Sequence, residues 1–514
     1  MMFNLNDKSR KWLTLLSMSS ALALVFIDQT ALAVALPAIQ RNLNLSNSLL
    51  QWVINAYLLA LSTLILLGGK VGDSLGHKRA FLWGISLFIS ASILCALAQS
   101  GAWLLVARAM QGAGGAFMMP STNALVVDAF PEKERGKAMG IYVGLAAIFL
   151  AIGPLLGGAL TEWFGWRSVF WINFPIAIAS IFLAATAVPT WKPTEKFTID
   201  YLGLFLSIGF ISGFVLSFME APNWGWTSPT ILILFSLSAL TFIGFVFWER
   251  RFSHPLVELK LFKNSIFSTI TTVMIIIQAV GVVFVFWAIF LQNVLQYSPL
   301  KAGLFLLPSM VPIIFMAPIG GHLRDKYGPM LPMFSGCLMV ILSLIWIGTF
   351  SHYQRYIWLF PGLLTYGIGM PLMLAGSMAT VMNTVTAQQR GIASAILNCA
   401  RQFGVSIGLA VLAGFLASLN KLHLSSFLKH APASISGIKE NQIDGLLVKS
   451  TSAMQVISHL SSDAAALIKT AALSAYTYAF SFTMYIAAGF ALIALVLVLN
   501  IPLNKKLSSI EDNL

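Results

Sequence analysis

Apolar residues along this 514-residue chain gather into long blocks separated by short polar breaks. The blocks run for about 18 to 25 residues, the length at which a helix rising 1.5 Å per residue crosses a hydrocarbon core roughly 30 Å thick. Spans read in this way fall near 12–37, 51–71, 80–98, 102–127, 138–160, 166–188, 200–219, 229–248, 268–291, 301–323, 330–349, 356–378, 392–418 and 475–500. That makes fourteen, an even number, so both ends of the chain lie on the same side. The expected fold class is an all-α integral membrane protein.

Composition removes the soluble alternatives. Hydrophobic residues make up 58% of the chain and charged residues 10%, where a soluble domain carries roughly a quarter charged. A net charge of +13 suggests nucleic acid only when it forms a basic patch on a soluble face; here the lysines and arginines lie between spans, so no nucleic-acid partner is expected. Placing the N-terminus in the cytoplasm puts 19 Lys/Arg in cytoplasmic segments and leaves only Arg41, Lys301 and Arg355 in the short outer loops, as the positive-inside rule requires. Trp52, Trp103, Trp163, Trp166, Trp224, Trp226 and Trp358 then fall at outer boundaries, where indoles prefer to lie. Lys8, Arg10 and Lys11 before an apolar run imitate a secretory signal, but the run continues past the Ala31-Leu32-Ala33 site, so it reads as an uncleaved first helix. Cys95, Cys337 and Cys399 lie in or beside apolar blocks without metal or disulfide spacing and read as packing residues.

The chain repeats itself. Gly68-Gly69-Lys-Val-Gly-Asp73-Ser-Leu-Gly76 matches Gly320-Gly321-His-Leu-Arg-Asp325-Lys-Tyr-Gly328 at a shift of 252 residues. Gly112-Ala-Gly114 matches Gly367-Ile-Gly369, and Arg135-Gly136 matches Arg390-Gly391, both at a shift of 255. Two matches at nearly one offset imply two six-helix halves: 1–190, and 265–514 with a long outer loop at 419–474. Residues 191–264 form a linker with two inserted spans. No function attaches to 419–474 from its sequence.

The repeated GxxxDxxG loop after the second helix of each half resembles the signature loop of the major facilitator superfamily. Its glycines suit a tight turn, its aspartate suits a helix N-cap, and basic residues suit helix-end carbonyls. The resemblance implies a cytoplasmic latch made by Gly69, Asp73, Gly76, Lys78, Arg79 and Asp128, which holds the halves together in the outward-open state. Ser74 and His77 stand where the family often has basic residues, which makes the latch weaker or pH-sensitive. Read without the family, the same residues make a positive loop with a helix cap.

A second constellation lies inside the membrane. Arg108-Ala-Met-Gln111-Gly112-Ala-Gly114-Gly115 resembles the superfamily's arginine motif for proton-coupled transport. A guanidinium at that depth needs a partner or an aqueous cavity, and Asp28 is the one acidic residue deep inside any of the expected spans. Counted from the outer ends, Asp28 lies about ten residues in and Arg108 about five, so both occupy the outer half of the bilayer. Asp28 belongs to Phe26-Ile27-Asp28-Gln-Thr30-Ala-Leu-Ala-Val-Ala35-Leu36-Pro37, similar to the first helix of the fourteen-span drug:proton antiporters, multidrug exporters of the quaternary-ammonium and uncoupler-resistance type. Burial and a neighbouring guanidinium act in opposite directions on a carboxylate's hold on its proton, so access to Arg108 can switch that proton on and off. The plainer reading is a structural ion pair.

The fifth span carries Gly140, Phe149, Gly153-Pro154 and Gly157-Gly158 in a pattern that resembles the exporter motif of the superfamily, with Phe149 replacing one usual glycine. Proline bends a helix, and glycines four apart admit a close neighbour. The resemblance covers nearly all of the chain except 419–474.

What the resemblance implies is proton-driven export of small lipophilic or cationic compounds by alternating access. The protein would then be a multi-pass component of a bacterial cytoplasmic (inner) membrane with both termini cytoplasmic. Its partners would be the transported molecule, protons and lipid, with room for a periplasmic adaptor protein. Proton-coupled uptake, handling of one specific metabolite, and a non-transporting receptor on the same fold remain open. The spans hold no Ser/His/Asp set, metal cluster or paired catalytic carboxylates, and no GxxxxGK[ST] loop occurs. Neither an enzyme, a cofactor, a metal nor an ATP-driven pump is therefore expected.

Overall fold

The computed structural model describes residues 6–189, 200–252, 255–383, 385, 390–430, 446–448 and 451–501. The N-terminal half contains α1 (Asp7–Leu43), α2 (Asn47–Leu75), α3 (His77–Ala96), α4 (Gly101–Ala129), α5 (Glu132–Phe164), α6 (Ser168–Trp171) and α7 (Asn173–Ala187). Two further helices follow, α8 (Tyr201–Trp224) and α9 (Pro229–Glu249). The C-terminal half contains α10 (Ser265–Gly281), α11 (Val283–Asn293), α12 (Pro299–Met310), α13 (Pro312–Tyr327), α14 (Met330–Phe350), α15 (Tyr356–Asn383), α16 (Arg390–Lys429), α17 (Thr451–Ser458) and α18 (Ser462–Leu499). Among the described residues, thirteen helical stretches are long and apolar enough to cross a membrane. Helix α4 falls outside that set, since Arg108, Gln111 and its glycines lower its hydropathy, but it packs along both α2 and α3 in the manner of the expected span over 102–127.

Three expected spans are each made of two helices. The 166–188 span breaks at Ile172, the 268–291 span at Val282 and the 301–323 span at Val311. The last break precedes Pro312, which has no backbone donor to continue the helical ladder. Other helices overrun the bilayer. α16 has 40 residues and α18 has 38, so each is nearly 60 Å long. The segment expected to be a loop over 419–474 is therefore largely helical among its described residues. It continues α16 to Lys429, contains α17 and begins α18 at Ser462, around a small apolar core of Leu424, Leu446, Ala453, Ile468 and Ala475.

The halves repeat one another in packing as well as in sequence. A Cβ on Gly84 of α3 would meet Met118 N at 2.6 Å and Gly114 O at 2.8 Å on α4, and a Cβ on Gly336 of α14 would meet Met373 N at 2.5 Å and Gly369 O at 2.7 Å on α15. The loop glycines match too: Gly76 has φ 95° and Gly328 has φ 82°, a left-handed conformation that disfavours any side chain. Each donates its backbone N–H to the helix it closes, at Gly72 and Arg324 respectively.

The inserted helices bridge the halves on one side. α8 packs against α9, against α2 of the first half and against α16 of the second. Glu220 of α8 accepts from Trp52 Nε1 at 2.9 Å and Ser48 Oγ at 3.4 Å on α2, while Trp226 donates to Ser418 Oγ at 2.9 Å and stacks on Phe415 of α16. α9 leaves Leu232, Ile233, Leu240, Ile243 and Phe247 exposed on its outer surface, an apolar face that suits lipid.

Candidate functional site

Asp28 of α1 and Arg108 of α4 are both completely buried, and the structure brings them together: Arg108 Nη1 donates to Asp28 Oδ2 at 2.6 Å. Gln111, one helical turn after Arg108, closes the arrangement by donating Nε2 to Asp28 Oδ1 at 2.9 Å and accepting from Arg108 Nη1 at 2.7 Å. Arg108 Nε reaches the Val53 carbonyl of α2 at 3.0 Å, and the guanidinium lies 4.3 Å from the centre of the Tyr57 ring. Residues of α1, α2 and α4 thus meet in one network around Arg108, and the charges compensate each other in a site that water does not reach. Arg108 Nη2 and the Tyr57 hydroxyl are buried without a hydrogen-bond partner, so the network keeps spare donors beside the acid. The sequence named Gln111 only as part of a motif; its spacing of three from Arg108 was the signal for its role.

Beside this cluster opens a cavity of about 2250 Å³ between the halves. Gln29 and Thr30 line it and Asp28 does not, so the carboxylate stands one residue behind the wall. The deep walls combine Leu22, Phe26, Met119, Phe284, Tyr366 and Met370 with Gln278, Gln402 and Arg401. Arg401 lies 5.6 Å from the Phe26 ring centre. The mouth is charged, with Lys70, Asp73, His77, Asp128, Glu249, Arg250, Lys260 and Lys263 around it. This is the basic end of the molecule, the one expected to face the cytoplasm.

The opposite end is shut. A Cβ on Gly158 would lie 2.5 Å from the Pro299 carbonyl oxygen, and Gly303 is pressed against the Pro154 carbonyl. Glu162 accepts the Leu300 N–H at 2.9 Å, and Gln292 donates to the Val34 carbonyl at 2.8 Å. Gly153 and Gly157 let α5 close on Thr30 and Ala31 of α1. Four of the five exporter-motif residues thus serve close helix approach. Gly140 does not: nothing lies within 4 Å of where its Cβ would be.

The expected latch residues gather at the open mouth. Asp73 pairs with His77 at 3.3 Å within the α2–α3 corner and does not cap α3, whose N-cap is Gly76. Gly69 lies in contact range of Pro120 on α4. Lys78 donates to the carbonyls of Ala185 at 3.0 Å and Val188 at 2.6 Å, closing the C-terminal end of α7 in its own half. Arg79 and Asp128 are exposed. Among the described residues, no ion pair joins Asp73, Lys78, Arg79 or Asp128 to the C-terminal half. Asp325 and its neighbours supply the matching turn, with Gly328 in the place of Gly76.

Comparison with known proteins agrees with this architecture. The family model for the Major Facilitator Superfamily matches residues 18–409. The chain is 35% identical over 421 residues to the multidrug resistance protein Stp of Mycobacterium tuberculosis, covering 82% of this chain and 78% of that protein. It is 33% identical over 415 residues to the tetracenomycin C resistance and export protein of Streptomyces glaucescens, covering 80% and 77%. Among solved structures, a bacterial homologue of the human lysosomal transporter Spinster, in an inward-facing unoccupied conformation, superposes with a TM-score of 0.66 at 18% identity over 95% of this chain and 98% of that one, a likeness of fold. A repeated six-helix half, a cavity between the halves and a matching family model across three quarters of its length establish that this chain belongs to the Major Facilitator Superfamily.

Proposed function

We propose that this protein exports small lipophilic compounds across a bacterial cytoplasmic membrane in exchange for protons, by alternating access between the two halves. The observation that carries the reading is a large cavity, open at one end and sealed at the other, with a buried carboxylate one residue behind its wall. Resistance and export proteins among the relatives support the direction of transport.

Asp28 is the coupling acid in this proposal and Arg108 the group that exchanges its favours with the proton. When Asp28 takes up a proton, its ion pair with Arg108 is lost, and the guanidinium is left with Gln111, the Val53 carbonyl and the Tyr57 ring; the repacking that follows is the link between protonation and the position of α1 against α4. Asp73 and Asp128 bias the conformations from the mouth, where closing of the halves would bring them against the other half. The exporter-motif glycines form the seal at the far end. The aromatic and apolar walls select lipophilic molecules. Cationic compounds meet ring faces and the mouth carboxylates, because Asp28 is turned away and Arg401 is the charge nearest the deep walls. Both termini are cytoplasmic in this orientation, and an adaptor protein would have to dock at the sealed, outer end.

The test is transport by purified protein in liposomes under an imposed pH gradient, with cationic, neutral and anionic lipophilic compounds compared. Accumulation that follows the gradient and collapses with an uncoupler is expected. Equal rates with and without the gradient would refute proton coupling, and movement of substrate only in the direction of the proton would refute export by exchange.

A further inference from the structure

At the mouth of the cavity, on the inserted helices, lies a pair of buried acids. Asp200 caps the N-terminus of α8 and is 1% exposed; Glu249 ends α9 and is 3% exposed. Each carboxyl has one oxygen held by donors. Asp200 Oδ1 accepts from the Gly203 N–H at 2.7 Å and from Trp248 Nε1 at 2.8 Å, and Glu249 Oε2 accepts from the Val257 N–H at 3.0 Å. The other oxygens, Asp200 Oδ2 and Glu249 Oε1, are buried without a hydrogen-bond partner. They face each other over Gly203: a Cβ on that glycine would meet both at under 3.0 Å, so the two oxygens are within about 6 Å of one another.

Two carboxylates this close, shielded from water and each with an unsatisfied oxygen, do not both stay ionised. We propose that Asp200 and Glu249 form a second proton-binding site, in which Glu249 carries the proton on Oε1 facing an ionised Asp200. The assignment follows from the helix ends. Asp200 has two donors and the positive end of α8, both favouring an anion, whereas Glu249 lies at the negative end of α9. Lys70 of α2 is within electrostatic reach of Asp73, Asp200 and Glu249, so the protonated site is balanced, one cation against Asp200, and the deprotonated site carries an excess negative charge. The other charged groups around it are Asp73 and His77 at the α2–α3 corner, Asp128 of α4, Arg250 after α9, and Glu258, Lys260 and Lys263 in the segment that follows; α16 contributes Arg401 deeper in the cavity. α10 presents no charged residue.

Glu249 and Lys70 both line the cavity, so the proton enters from the open mouth and not through Asp28. The site joins α8 and α9 to α2, and its titration changes the charge of the mouth by one where the halves must approach to close. Binding of this proton does not depend on the exporter reading; its effect on transport does.

The experiment is infrared spectroscopy of the full-length protein in lipid, titrated across neutral and alkaline pH, with the carbonyl band of protonated carboxylic acids as the readout. Wild type should show a band that disappears on alkalinisation. Glu249→Gln should lose that band, Asp200→Asn should shift its titration, and Asp28→Asn should retain it. Glutamine keeps the Val257 bond and can donate to Asp200, so this variant imitates the protonated site and should fold; its unfolding temperature should lose the decline expected of wild type as pH rises from the ordinary carboxylate range to the titration of the site. An identical band in wild type and Glu249→Gln would overturn the proposal. So would stabilisation of wild type by sodium or potassium with no titrating band, which would make this a cation site. Failure of gradient-driven transport with the band intact would sink the exporter reading and leave the proton site standing.

Discussion

Gly158 of α5 lies against the backbone of Pro299, 2.5 Å from its carbonyl oxygen at the position a Cβ would take, and this contact crosses from one half of the molecule to the other. The seal opposite the cavity mouth therefore depends on a missing side chain. Gly158→Leu cannot close it, because the obstacle is backbone and not a flexible side chain. Spin labels on Trp163 and Lys301, both exposed at that end, should report a longer separation in the variant than in wild type, with transport lost. An unchanged separation would show that the seal does not rest on Gly158.

The coupling cluster makes a contrasting prediction. Asp28→Asn keeps size and hydrogen-bonding capacity, so the fold should survive at a cost of about 3 kcal/mol or less from the unpaired Arg108. Gradient-driven transport should fall to background while exchange of labelled for unlabelled substrate persists. Arg108→Lys keeps the charge but cannot serve Asp28, Gln111 and the Val53 carbonyl together, and should slow coupled transport by about tenfold or more, corresponding to 1.4 kcal/mol per decade. Full gradient-driven transport by Asp28→Asn would leave the pair as a structural bridge.

At the mouth, Asp73 and Lys78 should separate in their effects although the family pattern groups them. Asp73→Asn removes a charge that faces the cavity, and should slow transport with substrate affinity within about twofold, since it biases conformations and lies far from the deep walls. Lys78→Met should lower stability by about 1 kcal/mol through the lost bonds to the end of α7. Equal loss of binding and transport in Asp73→Asn would refute its role in biasing conformations, and an unchanged unfolding temperature in Lys78→Met would refute the cap.

The repeat predicts paired costs. Gly84→Ala and Gly336→Ala each push a methyl into the backbone of the neighbouring helix at matching places in the two halves, and should each destabilise by about 1–3 kcal/mol. Gly140→Ala meets nothing within 4 Å and should be neutral or stabilise by up to about 1 kcal/mol through helix propensity. Thermal unfolding of the three variants in detergent would separate these outcomes; a stable Gly84→Ala would mean α3 and α4 are not packed as described.

The sequence by itself determined the membrane crossings, the two-fold repeat and the meeting of Asp28 with Arg108. The physical reason is that lipid admits only helices of a narrow range of length and makes an unpaired charge costly, so apolar block length and the rarity of charge each leave few solutions. Other features needed the tertiary structure. The bonds of Lys78, an expected latch residue, to the end of α7 while the cavity is open are one such feature, because which carbonyl a long side chain reaches depends on where α7 ends. The helical extension of α16 and α18 beyond the bilayer was read as a loop, because its polar surface breaks the apolar pattern while its small core is assembled from α16, α17, α18 and Leu446 together. Asp200 and Glu249, 49 positions apart and at the ends of two different helices, look like ordinary loop-end acids in the sequence. Only the antiparallel packing of α8 on α9, close at Gly203, turns their unsatisfied oxygens toward one another.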